Sequence, residues 1–244
     1  MIHSNHQSRF NFYTCYHHGG AMNIQCKELL QRSFPYLYVL LCIVVIAYFD
    51  LSGRVDYATK SLLKIGLFGG LPYMLLNRPK FKTMLGVNRS TRRILFVGIV
   101  MILVIVAGYF ATKLFISYDL VVASLENRLN VTLDNFLFVS LYIVLINSGL
   151  EEFFFRHFIP LQLDLSSQWT NRLVSSLLFA IYHVAILYGM FELCVVLLMI
   201  VGLWIVGVFF SLLNQNNKGF LNSYLFHACA NIGINLVGLL LFLG

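Results

Sequence analysis

From residue 35 onward the chain alternates long apolar runs with short polar stretches. The runs are Pro35–Phe49, Leu62–Leu76, Arg93–Ile116, Phe136–Phe155, Leu173–Tyr188, Leu193–Leu213 and Leu221–Leu243. A helix that crosses the hydrocarbon layer needs about 17–25 residues, so the first, second and fifth runs must borrow flanking residues or stand less tilted. None shows the period-two alternation of a membrane β-barrel, and in lipid only helices or a closed barrel satisfy their own backbone. The pattern predicts an all-α, polytopic transmembrane helix bundle of seven spans, within a range of six to eight. Between the third and fourth runs, Leu120, Val121, Leu125, Leu129 and Leu133 recur near the helical period among polar residues. That predicts an interfacial amphipathic helix over Tyr118–Leu133, read as a connector lying on the membrane surface.

Three regions follow: a polar tail (1–33), N-terminal spans with the amphipathic connector (34–130), and a core (131–244). The tail carries His3, His6, His17 and His18 at irregular spacing, which reads as a disordered cytoplasmic segment rather than a metal site. It lacks the basic-then-apolar order of a cleavable signal peptide, and Met22 is a second candidate start.

Composition narrows the class. Of 244 residues, 59% are hydrophobic and 11% charged, with mean hydropathy +0.80. A soluble domain carries about twice that share of charge. The net charge of +7 would suit nucleic acid, but the basic residues sit beside the spans, so the partner is the bilayer and nucleic acid is excluded. Segment Asn77–Arg92 holds Arg78, Lys80, Lys82, Arg89 and Arg92 with no acid, which predicts a cytoplasmic loop. Segment Ser117–Asn135 sets Asp119, Glu126 and Asp134 against Arg128 and suits the outer side. Counting spans from there puts the N-terminus and the Arg156–Arg172 loop inside and Gly244 outside. Cys15, Cys26, Cys42, Cys194 and Cys229 form no disulfide or zinc pattern. There is no internal repeat, phosphate loop or pair of broken spans, and Gly202 and Gly207 read as helix-packing residues.

What this leaves to explain is polar chemistry at membrane depth. Glu151 and Glu152 interrupt the fourth run, and Arg156 follows Glu152 by four residues. Helical neighbours diverge by about 100°, so Glu152 and Arg156 share a face and Glu151 does not. A carboxylate there costs roughly 2.5–3.5 kcal/mol to insert, which makes it a functional candidate. Arg156 is expected to neutralise Glu152 and leave Glu151 for acid–base work or a metal. His183 lies in the fifth run, and His227 and Asn231 share one face of the last. Buried polar groups seek each other, so the six side chains are expected at one interior site. Such a set suits activation of water for amide hydrolysis, with Glu151 as base, His183 sharing the proton, and His227 and Asn231 holding the oxyanion. Equally open is Zn²⁺ held by Glu151, His183 and His227, although the sequence lacks HExxH.

At these residues the chain resembles the CAAX-protease and bacteriocin-processing family of intramembrane proteases, also called the Abi family. The family's signature is Glu-Glu-x-x-x-Arg, Phe-x-x-x-His and His-x-x-x-Asn on successive transmembrane helices. Here these are Glu151-Glu152 to Arg156, Phe179 to His183, and His227 to Asn231, within a resemblance covering about Phe136 to Leu240. Residues 1–130 carry no matching motif. His157 stands where relatives commonly have glycine, which bears on substrate access or on an added ligand. The resemblance implies an intramembrane endopeptidase whose site opens toward the cytoplasm, with Glu151 as base supported by Glu152 and Arg156. It implies His183 as a water or metal partner and His227 with Asn231 as the oxyanion group. It further implies a peptide or membrane-associated protein substrate: maturation of a peptide or CAAX-like protein, or bacteriocin-related processing. A multi-pass protein of the bacterial plasma membrane is the expected setting. The rival readings are a non-catalytic bacteriocin-immunity or peptide-binding membrane protein, and a proton-coupled transporter using the same groups as a relay.

Overall fold

The computed structural model describes residues 24–76, 91–163, 165, 167–215 and 219–243, excepting the side chains of 24–32. Within them every regular element is a helix: α1 (Ile24–Ser52), α2 (Tyr57–Lys64, continuing through Ile65–Gly70 to Leu75), α3 (Thr91–Thr112), α4 (Asp119–Asn127), α5 (Phe136–Leu163), α6 (Gln168–Tyr182, then Val184–Leu187), α7 (Leu193–Leu213) and α8 (Leu221–Leu243). The polytopic helix bundle is as the apolar runs predict. The tail histidines and most of the 77–92 loop lie outside the described residues, and α1 already begins at Ile24, inside the stretch read as tail.

Among the described residues, six helices are long and apolar enough to cross a membrane, the lower end of the expected range. The run Leu62–Leu76 is the one that falls short. It belongs to a helix that opens on Tyr57-Ala-Thr-Lys-Ser and carries both Lys60 and Lys64. That helix starts at Asp56, whose carboxylate accepts from the Thr59 N–H (2.9 Å) and hydroxyl (2.7 Å). These bonds hold its carboxyl below the usual carboxylate range. The amphipathic connector is shorter than expected. It stops at Asn127, and Asn130 (φ 57°) turns the chain out of the helix.

Burial is inverted relative to a soluble protein. Leu198 is 73% exposed while Glu151 and Glu152 are 2% and 0% exposed. Lipid accepts the leucines, so the interior is left for polar groups and aromatic rings. Phe68 stacks on Phe154 at 4.2 Å, and Phe155 meets Phe179 edge-on at 5.4 Å, which joins α2, α5 and α6. Gly207 lets α7 approach α6: a Cβ there would lie 2.9 Å from the Ser176 Cβ and 3.2 Å from the Arg156 guanidinium. Gly202 differs from expectation, since a Cβ there would meet nothing and the residue borders a cavity.

One end of the bundle gathers Val55, α4 and the turn after α6. Arg128 donates to the carbonyls of Ala185 (3.1 Å) and Ile186 (2.6 Å), and Asn130 donates to Val55 (3.2 Å). Tyr118 packs against Phe191.

Candidate active site

Wide π-type turns frame the polar residues. In α5 they cover Tyr142–Asn147 and Phe153–Phe158, on either side of the regular turn Ser148–Glu152. In α2 they cover Ile65–Gly70, directly after Lys64. Such turns re-aim side chains and recur at functional sites.

Glu151 is held asymmetrically. Its Oε1 accepts from the Asn147 amide (2.9 Å) and the Tyr182 hydroxyl (3.2 Å), and the Lys64 ammonium stands 3.6 Å away. Its Oε2 faces the Nε2 atoms of His227 (3.7 Å) and His183 (3.9 Å). These gaps exceed a direct hydrogen bond and suit a bridging water.

The tautomers follow from the partners. At His183 the helix tightens, its N–H bonding Ala180 (3.1 Å), and the imidazole Nδ1 takes the Phe179 carbonyl at 2.7 Å. A carbonyl only accepts, so Nδ1 carries the proton and Nε2 presents a lone pair. This is what the Phe-x-x-x-His spacing achieves. On α8, His227 Nδ1 donates to Glu152 Oε1 at 2.9 Å, which leaves its Nε2 bare in the neutral form.

Beneath this layer, Arg156 Nε stands 3.5 Å from Glu152 Oε2, as the four-residue spacing predicts, and its guanidinium lies 4.1 Å over the Phe179 ring. Asn231, one turn beyond His227, donates to Ser148 Oγ (2.9 Å), which itself donates to the Ile143 carbonyl (2.9 Å). The expected oxyanion pair is thus braced separately, His227 on Glu152 and Asn231 on Ser148. His157 packs against Phe153 and Phe220.

A cavity of about 690 Å³ begins at Glu151, His183, His227 and Asn231. From that polar floor it runs between apolar walls to Tyr118, Leu125 and Phe191 at the α4 end. On the other side the floor is backed by the buried Phe154, Phe155, Phe158 and Phe179.

Sequence reasoning missed Lys64, Asn147, Tyr182 and Ser148. The signal for two of them was present: Lys64 is a charge inside an apolar run, and Asn147 precedes Glu151 by one turn. Tyr182 and Ser148 look like ordinary helix residues until their partners are seen.

The donor chemistry suits zinc: a carboxylate and two imidazoles whose Nδ1 atoms are held by a carboxylate and a carbonyl. Their spacing is wider, since ligands on zinc arms of 2.0–2.1 Å would sit about 3.4 Å apart. Among the described residues no three His, Cys, Asp or Glu side chains are gathered so as to hold an ion. Lys64 already brings a positive charge to Glu151.

The fold is a helical bundle with a buried carboxylate–imidazole cluster at the floor of a chamber. The family model described as type II CAAX prenyl endopeptidase, Rce1-like, matches residues 133–233, which contain all three motifs. The match falls where the motifs lie, so residues 133–233 resemble a CAAX-endopeptidase-type domain. No curated protein and no solved structure matches the chain.

Proposed function

We propose that the protein is an intramembrane endopeptidase in which Glu151 activates water. The observation that carries this reading is Glu151 Oε2 facing two imidazole Nε2 atoms at 3.7 and 3.9 Å on a chamber floor. A water between them gives its proton to Glu151 while its oxygen adds to the scissile carbonyl. The tetrahedral intermediate then expels the amine, which leaves with the proton carried by Glu151. His183, fixed by the Phe179 carbonyl, holds the water. His227 donates to the oxyanion in its protonated form, with the Glu152 carboxylate beside it, and Asn231 supplies a further N–H. The substrate is a peptide or membrane-associated protein, CAAX-like or a peptide precursor. The test compares peptides and shortened membrane proteins in cells carrying the wild type or Glu151→Gln at equal abundance. Species that vanish in the variant establish proteolysis; identical profiles with the phenotype kept favour the immunity or binding reading.

Residues Glu151, His183 and His227 would hold a zinc ion if the site closed by a few tenths of an ångström, and zinc would then polarise the water. The separations and the Lys64 charge favour the metal-free route. Cleavage is expected to be unchanged by a strong chelator, in protein carrying far less than one zinc per chain. Loss of activity on chelation, restored by zinc, would reverse that choice.

Two expectations diverge over sidedness. The resemblance implies a cytoplasmic opening, yet the chamber runs to the end that holds α4. The segments at that end carry Arg54, Lys113 and Arg128 against Asp56, Asp119, Glu126, Asp134 and Glu192. Residues 77–93, joining the opposite ends of α2 and α3, carry six basic residues and no acid. By the positive-inside rule the chamber faces away from the cytoplasm and the N-terminus lies within it. A Glu126→Cys variant should react with an impermeant maleimide in intact cells, whereas Arg172→Cys should react only after permeabilisation. The opposite labelling pattern would put the chamber on the cytoplasmic side.

A further inference from the structure

Lys64 belongs to α2, outside the segment that matches the protease family, yet its ammonium reaches the centre of the site. It donates to Asn147 Oδ1 at 2.8 Å and stands 3.6 Å from Glu151 Oε1, with its side chain 14% exposed. We propose that Lys64, acting through the Asn147 amide, is a positioning residue for Glu151. The inference rests on the reading of Glu151 as the base that activates water.

An ammonium has only donors, so it fixes the Asn147 side chain with its oxygen toward Lys64 and its NH₂ toward Glu151. The reversed amide would set NH₂ against the ammonium and the amide oxygen against a carboxylate. With the amide so fixed, Glu151 Oε1 receives Asn147 and Tyr182 as donors, and the carboxylate cannot turn about its terminal bond without losing both. Oε2 therefore stays on the chamber side, where both bare imidazole nitrogens face it.

Countercharge points the same way. The buried cation on α5, Arg156, is paired with Glu152, and the two histidines commit their Nδ1 protons elsewhere. Lys64 is the cation adjacent to Glu151, and a carboxylate in this interior needs one. The N-terminal helices thus complete the site that the matched segment leaves open on one side.

The experiment uses the full-length protein in detergent and, as substrate, a synthetic peptide covering the cut in a species that disappears in the Glu151→Gln comparison. Variants are Lys64→Met, Lys64→Gln, Asn147→Leu and the double Lys64→Met/Asn147→Leu, each checked for a monodisperse elution peak. Lys64→Met and Asn147→Leu should each lower kcat about 10²-fold with KM unchanged, as expected for a misplaced base rather than lost binding. The double variant should be no slower than the slower single, because both break one chain of contacts. Lys64→Gln keeps an N–H for Asn147 and should exceed Lys64→Met in kcat by about tenfold. Wild-type kcat in Lys64→Met, additive losses in the double, or equal losses for Gln and Met would overturn the inference. If Lys64→Met does not fold, Lys64→Gln set beside Asn147→Leu decides: a kcat about tenfold higher in the first than in the second supports positioning, and equal loss overturns it. If the Glu151→Gln comparison yields no missing species, the protease reading fails first and takes the inference with it.

Discussion

Replacing Glu151 by glutamine should lower kcat/KM for the cleaved peptide by about 10²–10⁴-fold, the usual contribution of a general base, while the protein stays folded. Both halves come from the same contacts. A glutamine oxygen in the Oε1 position still accepts from Asn147 and Tyr182. Its NH₂ then takes the place of Oε2 and faces the lone pairs of His183 and His227, so the fold keeps its polar contacts. What disappears is the group that accepts a proton from water. Glu151→Asp makes the complementary case, since it keeps the charge but withdraws the carboxylate by one methylene and should lose about 10²-fold through misplacement. Rates measured with the purified protein and its identified peptide, beside elution profiles, check both. Cleavage by Glu151→Gln at the wild-type rate would remove Glu151 from the chemistry.

The ease with which this site could be read varied with the kind of signal. Glu151, Glu152, Arg156, His183, His227 and Asn231 stood out because each is costly in lipid and sits in an apolar run, and the structure brings them into one connected cluster. The Glu152–Arg156 pairing was legible because it is local, one turn of one helix. Lys64 was not read as part of the site, because its partners lie 83 residues away in Asn147 and 87 in Glu151 and no local pattern joins them. The wide turns in α2 and α5 left no mark in Ile65–Gly70 or Tyr142–Asn147, which are ordinary apolar sequence. The helix that hid Lys64 is also the one that sets the span count at the lower end of its range. Its polar start and two lysines make it a poor lipid-facing span, and one of those lysines belongs at the site.

The second large effect concerns stability and separates it from activity. Glu152 and Arg156 are 0% and 1% exposed at their side chains, and their closest atoms are 3.5 Å apart. Breaking a buried pair of this kind costs about 3–5 kcal/mol, because the survivor keeps its charge without a partner. Arg156→Met should therefore unfold at markedly lower temperature, with the Glu152 carboxylate left without its guanidinium partner. The loss is deepened because the guanidinium also covers Phe179, at 4.1 Å, and Phe210, at 5.3 Å. Adding Glu152→Gln to that variant removes the stranded charge, and much of the thermal stability should return, since neutral pairs of similar volume often match buried ion pairs. Cleavage should not return with it. Glutamine can still accept from His227 Nδ1, but it supplies no negative charge beside the imidazole, and His227 needs that charge to carry a proton in the transition state. Unfolding midpoints in detergent together with cleavage rates for the two singles and the double decide the matter. A double variant as unstable as Arg156→Met would show that the guanidinium works chiefly by packing on its two rings. A double variant with restored cleavage would show that Glu152 merely neutralises Arg156 and has no part in holding His227 to its task.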